Sequence, residues 1–179
     1  MNLFVVNENP VTCAMVLDDR RVIKMTVEVA QMLSTVVRGL DVDLGTFDKD
    51  IYKATHAKHP CTLWVGATRG NFEWTVAYGV ALATAYRLRF GKQHKSLKTI
   101  GACAQFAANL PEGERTWFVN CTADFQDEGD VFKAYKMQLS KKWYEAWDHG
   151  RKRPKWSRAG ALPAFTPKFL KDAWPAQAR

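Results

Sequence analysis

Between Asp18 and Gly39 the apolar residues recur at helical spacing, and this stretch restricts the fold more than any other. Val22, Met25, Val29, Met32, Leu33 and Val36 share one side at about 100° per residue. Arg20, Arg21, Lys24, Glu28, Gln31 and Thr35 fall within about a 100° arc on the other side. Asp18 is placed to cap this helix, which runs to Val37 and ends near Gly39. A helix of this kind needs other elements to cover its apolar side. Its polar stripe has two readings: a solvated face with Lys24 and Glu28 as an i,i+4 pair, or a surface aimed at a ligand.

The remaining pattern is also helical. Asn9-Pro10 reads as a cap followed by a first-turn proline, opening a short helix to about Leu17. Pro60 opens a third helical region, with Gly66 and Gly70 as weak points. A long helix follows from Asn71 to Phe90 and ends at Gly91. Ser96 caps a helix that stops before Leu110-Pro111, and Asp130 caps a last one through Trp147. Leu3–Val6 and Thr116–Cys121 read as two short strands that would pair. The expectation is a mainly α, single helical domain with at most a small two-stranded β element. Residues 1–150 form the helical body. Residues 151–179 form a basic arm packed on it through Trp156, Phe165, Phe169 and Trp174.

With 179 residues, 47% of them apolar, the chain can bury a core. No apolar run reaches the roughly 20 residues of a membrane span, and no signal-peptide pattern opens the sequence. Cys13, Cys61, Cys103 and Cys121 form no Cys-x-x-Cys pair, which points to reduced thiols in a cytoplasm. Phosphate loops of the Walker and dinucleotide types are absent, as are the Gly-x-Ser-x-Gly elbow and the zinc-deaminase pattern.

Charge is uneven. Residues 1–132 carry 14 Lys/Arg and 15 Asp/Glu, whereas residues 133–179 carry 12 and 3. The positive C-terminal quarter contains Trp143, Trp147, Trp156 and Trp174, a mixture that suits a phosphate backbone with exposed bases. Lys141, Lys142, Arg151, Lys152, Arg153 and Lys155 are the candidate backbone contacts.

Tyr52 to Trp74 is the richest segment for chemistry. His56-x-x-His59-Pro60-Cys61 places three metal-capable side chains in six residues, with a fourth ligand to come from His94, Cys103 or Cys121. It reads equally as an anion site, because His59 precedes a helix N-terminus. One histidine can also act as general base. The balance favours the anion, with no bound metal and no cofactor expected. Arg87, Arg89, Lys92, His94 and Lys95 cluster at the end of the long helix, with Tyr86 among them. Asn71 can read a base edge and Trp64 or Trp74 can stack on it, although tryptophans in helical domains also serve as core.

These residues resemble a family of small tailed-bacteriophage proteins. The resemblance rests on Leu17-Asp18-Asp19-Arg20-Arg21-Val22-Ile23-Lys24-Met25 with Glu28 and Gln31, and on Tyr52-Lys53-x-Thr55-His56-x-x-His59-Pro60-Cys61-x-x-Trp64. Asn71-x-x-Trp74 and Tyr86-x-x-Arg89-x-Gly91-Lys92-x-His94-Lys95 extend it, and the match covers most of residues 1–156. The chain departs from the family pattern at Arg20-Arg21, where Lys-His is expected, and at Gly66 and Gly70. The family is associated with thymidine hypermodification, through amino acid:DNA transferases and glutamyl/putrescinyl-thymine pyrophosphorylases of DNA-glycosylase-like helical fold. The resemblance implies transfer of an amino acid amine onto phosphorylated or pyrophosphorylated 5-hydroxymethyluracil in duplex DNA, with the base extruded. In that reading Arg20, Arg21, Lys24, Gln31, Arg89, His94 and Lys95 hold the leaving group. His56, His59, Glu28 and Lys24 carry acid–base chemistry, and Asn71, Trp64, Trp74 and Tyr86 hold the base. A monomer in the cytoplasm of the infected host is implied. The alternatives are a glycosylase/lyase that excises a base, with Lys24 as its amine, and a non-catalytic DNA-binding protein.

Overall fold

The computed structural model describes residues 1–148, 153–158 and 162–173. Its helices are α1 (Pro10–Met15), α2 (Asp19–Arg38), α3 (Pro60–Ala67), α4 (Arg69–Phe90), α5 (Ser96–Ala104), α6 (Val131–Asp148) and α7 (Lys168–Ala173). Short 3-10 turns lie at Gly45–Asp50 and Ala107–Asn109. Helix α2 is the centre of the bundle, packed against α3, α4 and α5, while α1 packs on α4. Val22, Met25, Val29, Met32 and Leu33 are each no more than 1% exposed, as the apolar stripe requires.

Local chemistry explains most boundaries. Asn9 Oδ1 accepts the amides of Val11 and Thr12 ahead of Pro10, so α1 starts on a satisfied cap. Gly91 ends α4 in the left-handed region at φ 67°, which a residue without Cβ adopts freely. Asp130 Oδ1 accepts the amides of Phe132 and Lys133 at the start of α6. Asp18 stands at the N-cap of α2, but its carboxylate makes no cap bond. It pairs with Arg21 at 2.7 Å and accepts the Trp143 indole at 3.3 Å.

The expected third and fourth helical regions are separated at Thr68. The first amides of a helix lack intrahelical partners, and at α4 the chain at 111–116 supplies them. Arg69 N donates to Pro111 O at 2.7 Å and Gly70 N to Gly113 O at 3.0 Å. Gly70 is therefore a packing position: a Cβ there would lie 2.3 Å from Arg115 N.

Neither expected strand forms, and no strand occurs among the described residues. The amides are taken by side chains instead. Asn2 Oδ1 accepts Leu3 N and Phe4 N, Asn71 Oδ1 accepts Thr116 N, and the Tyr135 hydroxyl accepts Cys121 N. Phe4, at φ 47°, also departs from extended geometry.

Residues 153–158 close over the α1–α2 junction. Asp19 N donates to Lys155 O, the Trp156 indole donates to Val16 O, and Ser157 Oγ donates to Asp19 Oδ2. Phe165 stacks on Trp143 at 5.6 Å. The Phe169 side chain and Trp174 lie outside the described residues.

Candidate nucleic-acid site

A cavity of about 340 Å³ opens between the N-terminal segment, the first half of α2 and the second half of α6. Arg20, Arg21, Lys24 and Glu28 line it from α2, Met1 and Asn2 from the N-terminus, and Lys142 and Glu145 from α6. The polar stripe of α2 therefore does face a concavity. Its far end is covered: Thr35 Oγ1 donates to Thr55 O and accepts Thr55 N. Gln31 lies half-buried between these ends.

Glu28 organises the cavity floor. Its side chain is 12% exposed. One carboxylate oxygen accepts the Asn2 amide at 3.0 Å and lies 3.9 Å from the Met1 α-amine. The other lies 3.3 Å from Lys24 Nζ, which is largely exposed. Met1 is held from behind, because Thr62 Oγ1 contacts its sulfur at 3.7 Å. A carboxylate between two amines, ringed by cations, can bind an anionic ligand and move a proton.

His59 adjoins this group. Its pKa is lowered, first by burial and then by the positive charges of the N-terminus and His56, with Glu28 opposing. The ring is thus a neutral proton acceptor at neutral pH. Its Nδ1 accepts Cys61 N at 3.1 Å, which starts α3 at Pro60. His56 is exposed, at φ 52°, with Nδ1 2.7 Å from Thr55 Oγ1.

Several expected site residues lie elsewhere. Asn71 is fully buried: Nδ2 donates to Trp64 O and Thr116 Oγ1, while Oδ1 accepts from Thr116 N. It holds the 111–116 chain on α4 and has no edge free for a base. Trp64 and Trp74 are buried in an aromatic cluster with Tyr78 and Phe118, and their indoles donate to Trp117 O and Glu8 O. They are core, not stacking platforms. Arg89 is buried and donates to Leu17 O and Met15 O, beside Asp19 at 3.3 Å. Burial lowers its pKa, and Asp19 opposes that shift. It ties down the end of α1, not a phosphate. His94 Nδ1 accepts Ser96 N just ahead of α5 and its ring meets Tyr86 edge-on at 4.8 Å, and neither residue lines the cavity. Lys95 is exposed at the same end of the molecule.

Among the basic residues, Lys142 reaches the cavity. Lys141 is bound to Asp124 at 2.5 Å, and the Arg153 guanidinium lies over Trp147 at 4.1 Å. Lys155 is exposed, and Arg151 and Lys152 fall outside the described residues.

Sequence reasoning missed one feature and left a second open among three candidates. The N-terminal amine had no motif to mark it, although the apolar run Leu3–Val6 foreshadows a buried start. Cys121 lies with His59 and Cys61, their donor atoms all within 4.8 Å of one another.

Among the described residues no helix is long and apolar enough to cross a membrane. Residues 1–99 match a family model described as pyrimidine dimer DNA glycosylase. Comparison with curated proteins and with solved structures finds no match.

Proposed function

Since the matched region covers more than half of it, the chain belongs to the pyrimidine dimer DNA glycosylase family, and from that premise we propose that it excises damaged or modified pyrimidines from duplex DNA through an amine nucleophile. The family acts on DNA. The excision step is our reading, and the observation that carries it is Glu28 held between the Met1 α-amine and Lys24.

An amine that attacks C1′ of the deoxyribose expels the base with the bonding electron pair. Loss of the amine proton and opening of the sugar then give a protonated Schiff base. Glu28 stabilises that cation and takes the C2′ proton, so that the 3′ phosphate leaves by β-elimination. Of the two amines the α-amine is the better candidate, since Met1 is held at 3% exposure beside Glu28 whereas Lys24 is 71% exposed. Arg20 and Lys142 suit the flanking phosphates, and His56 and His59 suit proton exchange with the departing base.

The test is cleavage of duplexes carrying a cyclobutane pyrimidine dimer or an abasic site, with borohydride added to trap the imine. We expect nicking, a covalent protein–DNA adduct and, on peptide mapping, attachment at Met1. Glu28→Gln should cut turnover by about 100-fold or more while duplex affinity is kept. Absence of both nicking and adduct would overturn the reading, and attachment at Lys24 would move the nucleophile.

The cation-lined cavity also favours a second reading, in which the same pocket holds a phosphorylated 5-hydroxymethyluracil and an amino acid amine displaces the phosphate. That reading carries the finer proposals of a phage enzyme acting as a monomer in its host's cytoplasm. Incubation of such DNA with glycine separates the two readings: transfer adds the amino acid's mass to the DNA and leaves the strand whole.

A further inference from the structure

The thiols of Cys61 and Cys121 lie beside the His59 imidazole, with all three donor atoms within 4.8 Å of one another. Two of the three come from the start of α3. The third is brought from sixty residues away by the chain that follows the Thr116 anchor. Of the three, the excision chemistry draws on His59 alone and gives the two thiols no role. From this geometry we propose that His59, Cys61 and Cys121 bind a thiophilic divalent ion, namely zinc.

The dimensions fit. A tetrahedral zinc with Zn–S near 2.3 Å spaces its ligand atoms about 3.5–3.8 Å apart, so each donor moves by about 1 Å or less. The donor set also fits, since two thiolates and an imidazole are what zinc and other borderline-soft ions select over magnesium or calcium. The backbone around Cys121 is fixed on both sides: its amide donates to the Tyr135 hydroxyl, and its carbonyl accepts Asn2 Nδ2. Cys61 is fully buried in the first turn of α3. The two thiols are hydrogen-bonded to each other, and a metal ion bound there would displace their protons. His59 gives up one cap hydrogen bond if the ion takes Nδ1. The charge of Glu28 is felt at both His59 and Cys61.

The ion would join α3 to the segment that carries Cys121, and through Asn2 it would fix the chain start against Glu28. The other two expected partners are engaged elsewhere: Cys103 lies against Ser34 at 3.7 Å, and His94 Nδ1 accepts Ser96 N.

The experiment needs no DNA, so its failure leaves the excision reading standing. The full chain is purified without chelator from zinc-supplemented culture, and its metal content is measured after gel filtration. One zinc per chain is expected. Cobalt substitution should give thiolate-to-metal charge-transfer absorption that Cys121→Ser abolishes. Because a variant can misfold, the wild-type chain is also alkylated with and without zinc and mapped by mass spectrometry. Zinc should protect Cys61 and Cys121 together. Metal-free protein with both thiols equally reactive in the presence of zinc would overturn the proposal. A Cys61–Cys121 disulfide in freshly purified reduced-cytoplasm protein would overturn it as well.

Discussion

Asn71 and His94 show how a single side chain is assigned by its surroundings. In sequence Asn71 has the donors and acceptor to read a base, yet in the fold all of that capacity goes to Trp64 and Thr116. Buried polar groups must be paired, and here the pairing closes the core around the loop at 111–116. His94 resembles a phosphate ligand in sequence, but burial lowers its pKa from 6.5, with the nearby Ile23 backbone opposing. The fold therefore favours the neutral ring. The stability this gives is complete above the unfolded-state value and is lost as pH falls through the lower folded value. His59 shifts the same way. Thermal melts from pH 7.5 to 4.5 should thus show a falling midpoint below about pH 6.5. His94→Asn keeps an acceptor for Ser96 N and removes the titration, so it should flatten part of that fall. An unchanged slope would mean that other groups control it.

At the scale of elements, the junction between α3 and α4 matters most for the site. It turns the chain at Thr68, uses the 111–116 backbone to satisfy the first amides of α4, and so directs the following residues toward Cys121 and the N-terminus. Gly70 permits this, because a Cβ would fall 2.3 Å from Arg115 N and 2.5 Å from Glu114 C. Both are backbone atoms that cannot swing away. Gly70→Ala should therefore destabilise the protein by about 1–3 kcal/mol or more in urea unfolding. Gly101, within α5, has nothing within 4 Å of the same position. Gly101→Ala should instead stabilise by about 0.5–1 kcal/mol, by reducing the freedom of the unfolded chain. Equal effects from the two changes would contradict the packing at the α3–α4 junction.

For the whole molecule, the net charge of +8 is arranged so that α2 and α6 face each other with cations across the cavity. Part of that charge is already neutralised within the protein: Lys141 by Asp124, Arg21 by Asp18 and Arg89 by Asp19. Affinity for duplex DNA should fall steeply with salt because bound counterions are released. Replacing Lys142 and Lys155 with alanine should reduce the slope of log affinity against log salt by about one each. Replacing Lys141 should reduce it less, since its charge is paired. Fluorescence anisotropy across a salt series gives all three slopes, and identical losses would show that internal pairing does not decide which cations meet DNA.

The sequence by itself determined helices α1 to α6 and the polar stripe, though not α7 in the C-terminal arm. Helical periodicity, Asn and Asp caps, first-turn prolines and the glycine after Phe90 act within a few residues, so they are legible locally. It could not show what the buried polar residues face, because Asn71, Arg89 and Trp64 have the same chemistry whether they meet a ligand or the backbone of a distant segment. The failed strands divide: the neighbouring Asn2 takes the amides of Leu3 and Phe4, whereas those of Thr116 and Cys121 found acceptors in Asn71 and Tyr135 that only folding brings near. Tertiary structure alone joined Met1 to Glu28 and Cys121 to His59 and Cys61, since these contacts cross 27 and about 60 residues of chain. Contacts at that separation are fixed by packing of the whole core, not by any local preference.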